Sequence, residues 1–114
     1  MITNGIEALF LETHNWGRSA KFFQALGYEV EFSTEEGSGL LRNGDGPYLI
    51  LSEVPENREP GVRIALKVAD ADAFGSDAAV EVVTPFEDTH YGTREMTVRD
   101  PDGRVWSLQA PAKN

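Results

Sequence analysis

Apolar and polar residues alternate along most of this 114-residue chain. A period of two is typical of strands that bury one face. The pattern is clearest over 62–68, where apolar side chains alternate with Arg63, Ala65 and Lys67. The same criterion predicts further strands over 6–12, 28–32, 40–42, 48–54, 80–83 and 94–99, and after Gly103. Most of the chain is therefore expected to form sheet.

Two segments have a helical pattern. Over 18–26, Phe22, Phe23 and Leu26 are spaced as on one helical face, and Gly27 is a stop signal. Residues 69–79 give a weaker helix prediction, because Gly75 interrupts the segment. Each predicted helix follows one strand and precedes three, so the element order is β-α-β-β-β twice. Residues 85–93 are expected to form a long loop.

A Pro-Asp-Gly turn before the last strand has an earlier counterpart. Pro101 sets the backbone for the first turn position, and Gly103 supplies a conformation that side chains disfavour. Four residues recur at a spacing of 57: Arg42 and Arg99, Asp45 and Asp102, Gly46 and Gly103, and Leu51 and Leu108. We expect one domain over 1–114, with modules at 1–54 and 62–114 and a polar linker over 55–61.

The amino-acid composition excludes several classes of partner and binding site. The formal net charge of −9 comes from 19 acidic and 10 basic residues, which argues against a nucleic-acid partner. The absence of cysteine excludes disulfides and thiolate metal sites. No apolar run approaches the roughly 20 residues of a membrane span, and no signal peptide is apparent. The expectation is a cytoplasmic protein with neither a membrane nor a nucleic-acid partner.

Two stretches carry a resemblance to a known family. The run from Leu11 through Phe22-Phe23 to Leu26-Gly27-Tyr28 resembles the first strand and helix of the glyoxalase/bleomycin-resistance/extradiol-dioxygenase (vicinal oxygen chelate) superfamily. The run Tyr91–Gly103 is similar to its closing hairpin. The resemblance implies an α+β fold of two tandem βαβββ modules, whose open curled sheet forms a half-barrel around a cleft. It also implies a homodimer.

The family's enzymes bind a divalent metal through side chains on four equivalent strands. Carried onto this sequence, those positions are Ala8, Ile50, Arg63 and Ser107. Alanine and isoleucine have no donor, arginine repels a cation, and a serine hydroxyl is a weak ligand. We therefore expect no metal and no cofactor. Arg63 could instead offer its guanidinium to a ligand's oxygen atoms.

If those positions face the cleft, their neighbours two residues away face it too. The candidate ligand-binding residues are then Phe10, Glu12, Tyr48, Ile50, Arg63, Lys67, Glu95, Arg99 and Ser107, with Trp16 and Tyr91 in loops at the mouth. Trp16 and Tyr91 could close over a ligand or anchor their loops. Trp106 alternates with Ser107 and is expected in the core on the helix side.

Three functions remain open. The preferred hypothesis is a metal-free protein that binds a small molecule and sequesters a drug or metabolite without transforming it, as bleomycin-resistance proteins do, and whether the chain is an enzyme stays open. The first alternative is an enzyme. It could be a metal-dependent lyase, isomerase or dioxygenase whose metal ligands lie at other positions, with His14 or His90 among them. It could also be a metal-free enzyme that uses Glu12 or Glu95 as general base. The second is an interaction dimer with a vestigial cleft.

Overall fold

The computed structural model describes residues 2–75, 77–89 and 92–112, and it contains one helix and eight strands in that part of the chain. The elements are β1 (Ile6–Thr13), α1 (Trp16–Ala25), β2 (Glu29–Ser33), β3 (Ser38–Arg42), β4 (Tyr48–Glu53), β5 (Val62–Lys67), β6 (Glu81–Asp88), β7 (Thr93–Arg99) and β8 (Val105–Pro111). Strands β1–β4 pair with one another, and strands β5–β8 do the same. The predicted α+β class is confirmed.

The chain divides into two units. The helical unit is Ala8–Arg63, and the strand unit is Met1–Glu7 with Ile64–Asn114. The strand order is β2-β3-β4-β1 in the helical unit and β5-β8-β7-β6 in the strand unit. Each unit pairs its first strand with its last in parallel, and its remaining strands are antiparallel. The two units thus repeat one strand arrangement.

The helical unit buries its core between α1 and one face of its strands. Leu41, Leu49 and Leu51 are buried there. Phe23 of α1 packs against them and meets the Tyr28 ring edge-on, with centroids 5.7 Å apart. Asn15 caps the helix, because its side chain accepts a hydrogen bond from the Arg18 amide. The predicted helix therefore forms, with its start two residues earlier than expected.

The strand unit has its own core. Its buried residues are Val68, Phe74, Met96, Val98, Leu108 and Ala110. Trp106 packs against this cluster, as its alternation with Ser107 predicts. The indole N–H of Trp106 donates to Asp100 Oδ2 at 2.9 Å, so the polar atom of this large side chain is also satisfied.

The helix predicted over 69–79 is wrong, since the described residues of this segment form turns. The carboxylates of Asp70 and Asp77 accept hydrogen bonds from the amides two residues ahead, at 2.9 and 2.8 Å. Such local bonds compete with helical ones. Gly75 has φ 75°, which leaves the helical region. Phe74 is nevertheless buried, edge-on to Phe86, so the segment keeps its apolar anchor without a helix.

The long loop predicted over 85–93 is also partly wrong, because β6 continues to Asp88. Its pairing with β7 shifts register between Val82 and Thr84 and again between Thr84 and Glu87. These irregularities lie around Pro85, and proline is tolerated in edge strands such as β6. His90 and Tyr91 lie outside the described residues. Among the residues that are described, no helix is long and apolar enough to cross a membrane.

Candidate functional site

The helical unit has an apolar strand face on the side away from α1. Strand pairing places Phe10 opposite Ile50, Leu40 opposite Ile50 and Phe32 opposite Leu40. Tyr48 shares this face, because it is two residues from Ile50. We term these five residues the aromatic face. Four are half-buried and Phe32 is 54% exposed, so the face is accessible to a ligand.

Polar groups border the aromatic face. The guanidinium carbon of Arg42 lies 5.1 Å from the centroid of the Tyr48 ring, within cation–π range. The same guanidinium forms an ion pair with Glu31 at 2.8 Å. Arg42 therefore holds the Tyr48 ring in place at one edge of this face.

Glu12 closes the end of β1 by binding the linker. Its Oε1 accepts a hydrogen bond from the Gly61 amide at 3.0 Å, and its Oε2 pairs with Arg58 at 2.7 Å. His14 Nε2 is 2.7 Å from the Arg58 carbonyl oxygen. Because a carbonyl can only accept, Nε2 carries the proton. Both carboxylate oxygens of Glu12 are thus engaged in fastening residues 58–61.

Trp16 does not lie in a loop, which corrects the sequence expectation. It is the first residue of α1, its amide donates to Glu53 Oε2 at 2.9 Å, and its ring packs against the core of the helical unit. The ring passes close to Gly39, where an added Cβ would lie 2.6 Å from Trp16 Cη2. Of the two roles predicted for Trp16, the structure gives it that of an anchor.

The strand unit presents a polar face on the side opposite its core. Residues that lie directly opposite one another on neighbouring strands form rows across this face. The first row is Lys67, Gln109, Glu95 and Glu87, and the second is Ala65, Ser107, Thr97 and Thr84. Arg99 pairs with Val105 and Glu81 in a third row. Glu95, Arg99 and Ser107 therefore lie on one face of this unit's strands.

Most charges on this polar face are already paired. Lys67 lies 3.6 Å from Glu7, and Arg99 pairs with Glu81. Glu95 accepts a hydrogen bond from Gln109 Nε2 at 3.2 Å.

Ser107 and Gln109 are buried on the polar face, at 0% and 3% exposure. Ser107 Oγ has no hydrogen-bond partner among the described residues. Most buried polar atoms in folded proteins have a hydrogen-bond partner, so this hydroxyl is an exception.

The four positions predicted as equivalents of metal ligands do not fit a metal ion. Ala8 is buried without a donor, Ile50 is a half-buried hydrocarbon, and Arg63 is an exposed cation. Only Ser107 offers an oxygen, and a neutral hydroxyl is a poor sole ligand. Within residues 2–75, 77–89 and 92–112, no three histidine or acidic side chains form a cluster that could hold a metal ion.

A groove that sequence reasoning missed lies in the helical unit, beside the start of α1. It has a volume of about 590 Å³, and Leu11, Leu51, Phe22 and Phe23 supply its apolar lining. Pro60 of the linker contributes one wall. The groove depends on where the linker lies, and no local pattern in the sequence specifies that position.

One carboxyl group near the core of the strand unit has a perturbed pKa. The hydrogen bond from Trp106 to Asp100 is the largest influence, and it holds the pKa of Asp100 well below its usual range. Desolvation opposes this effect, while hydrogen bonds from Arg104 and from the Asp102 amide add to it. Asp100 lies in the turn between β7 and β8, so this perturbation reflects turn structure and not catalysis.

No protein-family model matches the chain, and no curated protein matches its sequence. Solved structures do match its fold. A glyoxalase/bleomycin-resistance/dioxygenase superfamily member from Vibrio splendidus 12B01 is 23% identical with a TM-score of 0.68, over 90% of this chain and 96% of the other.

Two longer proteins also match. A Mn(II)-bound glyoxalase from Novosphingobium aromaticivorans is 15% identical with a TM-score of 0.73, over 98% of this chain and 42% of the other. A homoprotocatechuate 2,3-dioxygenase variant from B. fuscum is 16% identical with a TM-score of 0.74, over 97% of this chain and 33% of the other. At these identities the likeness is one of fold.

Proposed function

Because this chain has the fold of the vicinal oxygen chelate superfamily, we propose that it is a metal-free small-molecule-binding protein that sequesters a drug or metabolite. In this role it resembles the bleomycin-resistance branch of that superfamily. The ligand is held by stacking and a few hydrogen bonds and leaves unchanged.

The aromatic face is the observation that carries this proposal. The core of the helical unit lies between the strands and α1, so this opposite face is left half-exposed. It combines two phenylalanine rings with Tyr48, whose hydroxyl can also form hydrogen bonds. Ligand sites are typically apolar and aromatic with a few polar groups. A planar or amphipathic molecule suits this surface.

The side chains at the candidate positions favour binding over catalysis. The four equivalent metal positions lack suitable donors, and Glu12, a candidate general base, has both oxygens bound by the linker. A general base needs a lone pair directed at the substrate. An enzyme would therefore have to use Glu95 as general base, or bind a metal through ligands other than the four equivalent positions.

Tyr48→Leu tests the proposal directly. Leucine retains much of the apolar volume of tyrosine but removes the ring and its hydroxyl. We first expect at least one saturable ligand from a panel of small aromatic metabolites and cationic glycopeptides, measured by thermal shift and titration calorimetry. For that ligand, Tyr48→Leu should weaken binding roughly tenfold, which corresponds to about 1.4 kcal/mol.

Leu26→Ala is the matched control. Leu26 is 60% exposed at the C-terminal end of α1 and lines neither the aromatic face nor the groove, so its loss should leave the affinity for that ligand unchanged. The absence of any saturable ligand in the panel would favour the interaction dimer. A ligand that bound Tyr48→Leu and the unchanged protein with equal affinity would show that its site is not the aromatic face.

A further inference from the structure

The groove beside the start of α1 lies on the opposite side of its strands from the aromatic face. Leu11 and Leu51 line the groove, and they alternate along β1 and β4 with Phe10 and Ile50 of that face. The groove has a volume of about 590 Å³, and all its lining residues belong to the helical unit. It is therefore a separate surface from the one that carries the proposed function.

The linker wall of the groove is fastened by two of the groove's own side chains. Glu12 binds the Gly61 amide at 3.0 Å and the Arg58 guanidinium at 2.7 Å. His14 Nε2 donates to the Arg58 carbonyl oxygen at 2.7 Å. Pro60, which lines the groove, lies between these attachment points. The groove therefore has its shape without a ligand, which lowers the entropic cost of binding one.

One cation at the groove has no partner in the part of the chain that the structure describes. The guanidinium of Arg18 forms no ion pair or hydrogen bond with residues 2–75, 77–89 or 92–112. Phe22 follows four residues later on the same side of α1, also lines the groove, and is 60% exposed. Apart from Arg18, the only charged residue of α1 is Lys21, so the helix is positive in a chain with a net charge of −9.

Most other polar groups of the groove are already engaged. Glu12 is the one acid among the described lining residues, and Arg58 neutralises it. The hydroxyl groups of Thr13 and Ser19 bind each other at 2.6 Å, and the Asn15 side chain caps α1. The groove thus combines an apolar lining with one positive group that is free to bind a ligand.

We propose that this groove binds an amphipathic organic acid, with its carboxylate on the Arg18 guanidinium and its hydrocarbon on Leu11 and Phe22. A guanidinium matches a carboxylate in both charge and geometry. Removal of the hydrocarbon from water supplies the rest of the affinity. An organic cation would be repelled by Arg18, and a neutral molecule would leave its charge unused. The inference goes beyond the proposed function, because the groove and the aromatic face share no residue.

Octanoate, 1-octanol and octylamine test the charge preference, because they share one chain length. By calorimetry at low salt, octanoate should bind at least about threefold more tightly than 1-octanol, the gain expected of an exposed ion pair. Octylamine should bind most weakly. Salt at about 1 M should reduce the preference, because it screens exposed charges. Amide NMR shifts on adding octanoate should be largest near His14, Arg18 and Phe22.

Arg18→Gln should abolish most of the preference for octanoate and leave the affinity for 1-octanol unchanged. The variant is expected to fold, because Arg18 is exposed and glutamine favours a helix. Phe22→Ala should weaken both compounds, since it removes apolar lining. Lys21→Gln is the matched control, because it removes the same charge from an exposed position of α1 outside the groove. It should keep the preference.

The outcomes separate this site from the proposed function. Equal binding of octanoate and octylamine, or a preference that survives Arg18→Gln, would overturn the organic-acid assignment. Absence of octanoate binding would overturn it as well. If Phe22→Ala then dissociated a dimer in sedimentation experiments, the groove would belong to a second copy of the chain.

Tyr48→Leu should leave octanoate binding unchanged, and Arg18→Gln should leave the aromatic ligand's affinity unchanged. Either site can therefore fail while the other stands. A loss of octanoate binding in Tyr48→Leu would place the acid on the aromatic face and overturn the groove assignment.

Discussion

At the scale of single residues, Trp106 and Ser107 show what alternation can predict. They are adjacent in sequence and occupy opposite faces, with Trp106 in the core of the strand unit and Ser107 on the polar face. The period of two predicts this division. It could not predict that Ser107 Oγ has no partner among the described residues, because that depends on the residues that neighbouring strands bring beside it.

Asp100 should make stability depend on acid pH. Its pKa is lowered chiefly by the Trp106 hydrogen bond, whereas an unfolded aspartate titrates near pH 3.9, roughly. The stabilisation is therefore fully present above about pH 4 and is lost as the pH falls towards the lower pKa of the folded state. We expect the melting temperature to fall more steeply below about pH 4 in the unchanged protein than in Asp100→Asn.

Thermal unfolding followed by circular dichroism, at a series of acidic pH values, measures this difference. Asp100→Asn should also be less stable at neutral pH, because an uncharged amide is a weaker acceptor for the Trp106 and Arg104 donors. Asp45→Asn, in the exposed turn of the helical unit, should follow the unchanged protein. If the melting temperatures of Asp100→Asn and the unchanged protein fell in parallel with pH, the Asp100 carboxylate would not be the source of the acid-dependent loss of stability.

At the scale of elements, capping separates the helix that forms from the one that does not. Asn15 caps α1, and Phe23 supplies it with a core contact. In residues 69–79, Asp70 and Asp77 instead make local turns. Both segments contain apolar residues at spacings that a helix would place on one face. The apolar pattern alone therefore predicts a second helix that does not form. The alternative bonds of the aspartates decide the outcome.

Gly39→Ala should destabilise the contact between α1 and β3. Gly39 does not have positive φ, so its backbone would accept alanine. A Cβ would, however, lie 2.6 Å from the Phe32 carbonyl oxygen and 2.6 Å from Trp16 Cη2. Such overpacking typically costs about 1–3 kcal/mol. Urea unfolding followed by tryptophan fluorescence measures the loss.

Gly46→Ala is the control for that experiment. The nearest atom to its added Cβ is the Asn43 carbonyl oxygen, at 3.6 Å, which is an ordinary contact. Its free energy of unfolding should change by less than about 0.5 kcal/mol. If Gly39→Ala were equally neutral, Trp16 would not be held against β3, and its role as an anchor would fail. The sequence gives no sign of this contact, because Trp16 and Gly39 meet only through the fold.

At the scale of the whole molecule, the internal repeat made the fold predictable. The turn at Asp45-Gly46 connects the antiparallel strands β3 and β4, and the turn at Asp102-Gly103 connects the antiparallel strands β7 and β8. These two pairs occupy the same place in the strand order of their units. Composition likewise predicts unpaired acids, since 19 acidic residues outnumber 10 basic ones. It cannot predict that Glu87 and Glu95 lie opposite each other on β6 and β7, because the irregular register of β6 sets that pairing. The expected homodimer stays a prediction.

Metal analysis tests the chemistry of the whole chain. After incubation with Zn²⁺, Mn²⁺ or Ni²⁺ and dialysis, we expect far less than a stoichiometric amount of each metal by mass spectrometry, because Ala8, Ile50, Arg63 and Ser107 lack suitable donors. The Novosphingobium aromaticivorans glyoxalase, whose structure is Mn(II)-bound, is the positive control. A stoichiometric ion that is lost in His14→Ala or His90→Ala would mean that the ligands have moved to loop histidines. The metal-dependent alternative would then replace sequestration as the favoured function.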